Sequence, residues 1–90
     1  MEYTFRQIKA ALDSEDPEGL LAMGAPHDEY YSEASLIEGR IAKVHTDEIS
    51  ADRIADIVAE VWNSQFGPFD EEDLNKRRQA FSSVARRILT

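Results

Sequence analysis

Residues 16–37 read DPEGLLAMGAPHDEYYSEASLI, and this stretch decides how the chain is organised. It contains two of the three prolines, two of the four glycines and two of the three tyrosines in the 90-residue sequence. Asp16 and Pro17 have the pattern of a helix N-cap followed by a first-turn proline, Gly24 ends a short apolar turn, and Pro26 is suited to open the next helix. The sequence therefore predicts a long ordered loop between a first and a second helix.

The second helix is predicted from a stripe of apolar residues at alternating steps of four and three. The stripe consists of Tyr30, Ala34, Ile37, Ile41 and Val44. This spacing places one apolar face along about four helical turns and predicts a helix over 27–45. Its first turn would then contain His27, Asp28 and Glu29, where the helix dipole favours negative charge.

Three further helices are predicted on either side of this one. Apolar residues at helical spacing indicate a first helix over 3–13. Ser50 is the expected cap of a helix over 51–66 that Gly67 and Pro68 end, and Asp70 is the expected cap of a helix over 71–89. No strand-like alternation is present, so we expect an all-α fold, a compact four-helix domain formed by residues 1–90.

The charge of the chain is unevenly distributed. The formal net charge is −8, and residues 13–38, called here the acidic window, contain eight Asp and Glu residues with no Lys or Arg. A pI near 4.6 argues against nucleic acid as the partner, because phosphate binding requires a clustered basic face. The sequence has no cysteine, no signal-peptide pattern and no apolar run long enough for a membrane span, so we expect a cytoplasmic protein.

The acidic window has two internal explanations. Glu29 and Glu33 are four residues apart on the predicted second helix and repel each other. Either solvent screens this repulsion, or a guanidinium from the fourth helix, Arg77 or Arg78, forms a fork with them. Alternatively, the carboxylates bind a cation. The candidate metal ligands are Asp28, Glu29 and Glu33, with His27 as a possible nitrogen donor.

The sequence gives little support for an enzyme. No nucleophile–base pair, glycine-rich phosphate loop or His-Glu-x-x-His pattern is present. The carboxylate pairs on the predicted helices are four residues apart rather than the three used by helical nucleotide pyrophosphatases. We therefore expect a protein that is not an enzyme and has no cofactor, with a metal-dependent hydrolase as the alternative.

Two short motifs carry a resemblance to a known family. Asp16-Pro17-x-Gly19 is followed by Asp28-Glu29-Tyr30-x-x-Glu33, and an apolar Phe66 follows the third helix. The chain thereby resembles the YugE-like family of small, uncharacterised all-helical bacterial proteins, a domain of unknown function. The resemblance implies a compact four-helix fold and no established activity.

Two functional hypotheses follow from these observations. The first is a non-enzymatic protein-binding domain whose acidic face masks a basic partner, most concretely an immunity or antitoxin protein that blocks a nuclease toxin. Its expected contact residues are Asp16, Glu18, Asp28, Glu29, Tyr31 and Glu33. The second is a helical domain that binds a metal or another small ligand through Asp28, Glu29 and Glu33. The sequence does not indicate an oligomeric state.

Overall fold

The structure is a computed structural model that describes residues 4–26 and 28–90. This part of the chain contains no strand, so the predicted all-α fold is confirmed. It forms four α-helices, joined in order by a long loop, a short 3-10 turn and a short connection. These elements are α1 (Phe5–Glu15), α2 (Tyr31–Ile41), the 3-10 turn Thr46–Glu48, α3 (Ala51–Phe66) and α4 (Glu71–Leu89).

Side-chain caps fix the start of three of the helices. At α1, the N–H of Gln7 donates to Oγ1 of Thr4 at 3.3 Å, and the N–H of Thr4 donates to Oε1 of Gln7 at 3.0 Å. Ser50 accepts from the N–H of Arg53 at the start of α3. Asp70 accepts from the N–H of Asp73 at the start of α4. Each contact satisfies an amide that has no acceptor within its own helix.

The second helix is shorter at both ends than the predicted 27–45. It begins at Tyr31 rather than in the turn after Pro26, and it ends at Ile41. The N–H of Glu29 donates to the carbonyl of Pro26, which makes a turn instead of a helical start. At the other end, the N–H of Val44 donates to the carbonyl of Ile41, three residues earlier, so the α-helical pattern of hydrogen bonds ends there. His27 lies outside the described residues.

The first helix runs from Phe5 to Glu15, two residues later at each end than the predicted 3–13. Tyr3 is outside the described residues. Asp16 ends the helix in a left-handed conformation with a φ of 45°, and its N–H donates to the carbonyl of Leu12. This residue therefore closes α1 instead of opening a new helix with Pro17.

The four helices surround one core. Helix α1 packs against α2 and α4, and α3 packs against α2 and α4. The radius of gyration is 12.3 Å, which matches the value of about 12 Å expected for a compact chain of this length. Trp62 and Tyr30 are the largest fully buried side chains. None of the helices in the described part of the chain has the length and apolar character needed to cross a bilayer.

Candidate protein-binding loop

The α1–α2 loop, residues 16–30, is held by a network of side chains that begins at Asp16. Its carboxylate accepts from the N–H of Leu21 at 3.1 Å and from the N–H of Ala22 at 3.0 Å. It also accepts from the hydroxyl of Tyr30 at 2.6 Å. Burial works to raise the pKa of Asp16, but these hydrogen bonds outweigh it and hold the pKa below its ordinary value. Asp16 therefore joins both ends of the loop.

Tyr30 completes the loop from inside the core. Its side chain is fully buried, and its ring lies 5.7 Å from that of Trp62. While its hydroxyl donates to Asp16, the same oxygen accepts from the N–H of Glu18 at 3.2 Å. Burial, reinforced by the neighbouring Asp16 carboxylate, raises the pKa of Tyr30 far above its ordinary value. The hydroxyl is therefore a neutral structural group that bridges two parts of the loop.

Glu18 ties the loop to the last two helices. One carboxylate oxygen accepts from Nε of Arg77 at 2.6 Å and from Nε1 of Trp62 at 2.8 Å. The other accepts from a terminal nitrogen of Arg77 at 3.1 Å. The Arg77 guanidinium holds the pKa of Glu18 below its ordinary value and also lies over the ring of Phe69, 4.4 Å from its centre. Glu18 is therefore a fixed internal group.

The tip of the loop is held by its own backbone. The N–H of Met23 donates to the carbonyl of Gly19, and the N–H of Gly24 donates to that of Leu21. Gly19 and Gly24 have φ angles of 69° and 94°, a region that residues with a Cβ rarely adopt. Leu20 and Leu21 pack against the core, whereas Met23 is 80 % exposed. The tip is thus ordered, with its apolar side chains divided between core and solvent.

The predicted contact residues have different environments. Asp28 and Glu29 are exposed. Tyr31 is 57 % exposed, and its ring packs 4.7 Å from the ring of Phe5. Asp16 and Glu18 are engaged inside the molecule, as described above. Of the six predicted contact residues, three are therefore exposed at the surface: Asp28, Glu29 and Tyr31.

Glu33, also predicted as a contact residue, is only 5 % exposed. Its Oε1 atom is buried and has no hydrogen-bond partner among the described residues. Burial raises the pKa of Glu33, and the charge of Glu29 one turn earlier raises it further. A substitution at this position would therefore act on stability, not directly on a surface contact.

Most of the acidic window is used inside the fold. Asp13 pairs with Lys9 at 2.7 Å, and Glu15 pairs with Arg87. Glu38 accepts from the N–H of Phe5 at 2.8 Å, at the start of α1. The excess charge seen in the sequence therefore does not form one continuous acidic surface, since much of it meets cations and amides that come from elsewhere in the chain.

The expected guanidinium fork forms with a different carboxylate. Arg77 binds Glu18 in the loop and not Glu29 or Glu33. Arg78 is exposed and donates to the side chain of Asn75 on its own helix. The prediction includes the correct arginine, but its partner is wrong, because the fold places Glu18 of the loop against the Arg77 guanidinium.

The described residues contain no group of three His, Asp or Glu side chains placed to hold a metal ion. Asp28 and Glu29 are exposed in the turn before α2, whereas Glu33 is buried in the first turn of that helix. The three carboxylates proposed as metal ligands are therefore not gathered into one ligand set. His27 falls outside the structural description.

Sequence reasoning missed two features of this loop. The first is the role of Tyr30 and Trp62 as hydrogen-bonding groups, because their positions in apolar stripes indicate only packing. A buried tyrosine or tryptophan requires a polar partner, and that rule would have directed attention to Asp16 and Glu18. The second is the exposure of Met23, which lies in the same apolar turn as Leu20 and Leu21.

Comparison with protein-family models, with curated proteins and with solved structures finds no match to this chain.

Proposed function

We propose that this chain is a small non-enzymatic protein-binding domain whose partner is a basic protein. The observation that carries the proposal is that some side chains of the α1–α2 loop hold it in place while others are exposed to solvent. Asp16, Glu18 and Tyr30 hold the loop from inside. Asp28 and Tyr31, at its end and just beyond it, face solvent.

The internal network supports the proposal through preorganisation. Ordering a flexible loop on binding costs conformational entropy, and a loop already fixed in the free protein avoids much of that cost. Asp16 fixes the backbone at Leu21 and Ala22, and Glu18 fixes the loop against α3 and α4. A loop that is ordered in this way presents its exposed side chains in a single arrangement.

The chemistry of those exposed side chains supports a basic partner. Asp28 and Glu29 are adjacent carboxylates, and Tyr31 lies two residues further on. Tyrosine is enriched in protein interfaces, where its ring supplies contact area and its hydroxyl supplies a hydrogen bond. Carboxylates at the rim of such a contact speed association with a positively charged surface. We call these three residues, Asp28, Glu29 and Tyr31, the acidic patch.

The most concrete form of this function is an immunity or antitoxin protein. A nuclease toxin has a basic cleft for its nucleic-acid substrate, and an acidic domain can mask such a cleft. Membership of the YugE-like family is part of the same proposal. It adds no activity, because that family has none established.

The test is affinity capture from the native cell lysate with the tagged chain at two salt concentrations. At about 50 mM and about 500 mM salt the Debye length is roughly 14 and 4 Å, so contacts between charges are weakened at the higher concentration. We expect a basic protein to be retained at low salt and released at high salt. An empty capture at low salt would contradict the proposal.

Two charge-reversed variants locate the contact. Asp28→Lys with Glu29→Lys changes the acidic patch, and Asp47→Lys with Asp56→Lys makes the same change in net charge at exposed positions outside it. The first pair should abolish capture, and the second should leave most of it. Equal losses would mean that net charge, and not the acidic patch, attracts the captured protein.

A further inference from the structure

Met23 is the most exposed large apolar residue described in the chain, at 80 %. An isolated exposed apolar side chain is common on protein surfaces and has no significance by itself. The setting of Met23 is unusual because Leu20 and Leu21, in the same loop, pack against the core. The tip of the loop, residues 19–24, thus packs two of its three large apolar side chains against the core and leaves the third in water.

The backbone that carries Met23 is constrained on both sides. On its N-terminal side, the amides of Leu21 and Ala22 are held by the Asp16 carboxylate. The N–H of Met23 is 3.2 Å from the carbonyls of both Gly19 and Leu20. On its C-terminal side, Gly24 has a φ of 94°. The main chain at this position is therefore held by hydrogen bonds, while the side chain is exposed.

The neighbours of Met23 do not cover it. Ala22 and Gly24 are also exposed, and neither has a side chain long enough to shield a thioether. Methionine is unbranched and polarisable, so it adapts to pockets of different shape and is frequent at binding surfaces. An exposed apolar side chain between small residues on a hydrogen-bonded loop tip is suited to enter a cavity in another molecule.

We propose that Met23 is the apolar anchor of the partner interface, inserted into a pocket of the basic protein whose rim carries Lys or Arg residues. This inference rests on the proposed function. Asp28 follows Met23 by five residues, so their Cα atoms are at most about 18 Å apart, within the span of one ordinary interface. The carboxylates of the acidic patch then meet the cationic rim, while Met23 supplies the desolvated centre.

The inference is tested with the basic protein identified by the salt-sensitive capture, expressed, purified and titrated against variants of this chain by calorimetry. Met23→Ala should weaken binding by about 30-fold or more, as expected for a central interface residue. Leu36→Ala is the matched control, because Leu36 is also an exposed apolar residue, at 42 %, but lies on α2 outside the loop. It should change the affinity by less than about threefold.

Each outcome separates this inference from the function on which it rests. If Met23→Ala binds as tightly as the parent chain while the Asp28→Lys, Glu29→Lys variant fails to bind, the acidic patch is the contact and Met23 is not its anchor. If neither variant affects binding, or if the capture provides no basic protein, both proposals are wrong. Thermal unfolding of Met23→Ala should match the parent chain, which excludes a loss of fold as the cause.

Discussion

Glu18 and Arg77, 59 residues apart in sequence, are joined by two hydrogen bonds of 2.6 and 3.1 Å. The pair connects the α1–α2 loop to α4, and the same carboxylate also holds the indole of Trp62 on α3. Both charged side chains are mostly shielded from water, with exposed fractions of 16 % and 23 %. A single carboxylate therefore fixes the loop to half of the helical core.

Arg77→Ala should destabilise the fold by about 1–3 kcal/mol, because it leaves the shielded Glu18 carboxylate without its cation and uncovers Phe69. Urea unfolding followed by the fluorescence of Trp62, the only tryptophan, measures the change. Arg78→Ala is the matched control. The exposed Arg78 makes one side-chain contact to Asn75, so its loss should cost less than about 0.5 kcal/mol. Equal effects of the two substitutions would refute this account of Arg77.

The adjacent tyrosines should respond differently to loss of their hydroxyl groups. Tyr30→Phe removes the acceptor of the Glu18 N–H and one of the two donors to an Asp16 oxygen, and should cost about 1–2 kcal/mol. Tyr31→Phe should change stability by less than about 0.5 kcal/mol, since Tyr31 is 57 % exposed. Chemical denaturation of both variants gives the comparison. A Tyr30→Phe variant as stable as the parent would show that the hydroxyl bridge contributes nothing to folding.

Two glycine substitutions should have opposite signs. Gly24→Ala places a Cβ on a residue with a φ of 94°, which should cost about 1–2 kcal/mol although the space around it is open. Gly39 lies inside α2, and the rest of the fold leaves open the space that an alanine methyl group would occupy there. Gly39→Ala should therefore stabilise the fold by about 0.5–1 kcal/mol. Midpoints of urea unfolding distinguish the two. Destabilisation by Gly39→Ala would indicate that the helix requires this glycine for a reason other than space.

Glu33 should make stability fall as the pH rises. Burial and the charge of Glu29 raise its folded pKa above the ordinary value of 4.5. A group with a raised folded pKa contributes its full stability below the unfolded pKa, and that contribution is lost as the pH rises through the folded pKa. Glu33→Gln removes this dependence, so the stability of the parent chain relative to the variant should decline as the pH increases above 4.5.

The measurement is the melting temperature of the parent and of Glu33→Gln from about pH 4 to about pH 8. Glu29→Gln serves as a second variant, because Glu29 is exposed and its removal should reduce the effect only in part. Parallel curves for the parent and Glu33→Gln would contradict a raised pKa at this buried carboxyl group.

The all-α fold follows from local features that the sequence displays. Ser50 and Asp70 are strong N-caps, and the spacing of apolar residues in α3 and α4 leaves little choice of buried face. The ends of α2 were harder to predict, because Pro26 and Val44 fit a helix by local rules. The residues before Tyr31 instead form a turn, and the hydroxyl of Tyr30 in that turn donates to Asp16. This contact depends on tertiary structure and has no local signal in the sequence.

The candidate site was predictable only in part for the same reason. Asp28, Glu29 and Tyr31 are exposed, as their prediction as contact residues requires. Glu18 and Glu33 are carboxylates like the others in sequence, and their burial depends on which helices pack around them. The pairing of Glu18 with Arg77 spans 59 residues and has no local signal.

The Glu18–Arg77 contact also has a consequence for the order of events during synthesis. The loop and the acidic patch precede Arg77 and Arg87 in the chain and are synthesised first. These two arginines hold Glu18 and Glu15, on either side of Asp16. A nascent chain that contains only the first three helices keeps the Asp16, Tyr30 and Trp62 contacts of the loop but lacks the two arginine contacts that tie it to α4. Maturation of the proposed recognition surface is consequently a late step, completed only when α4 docks.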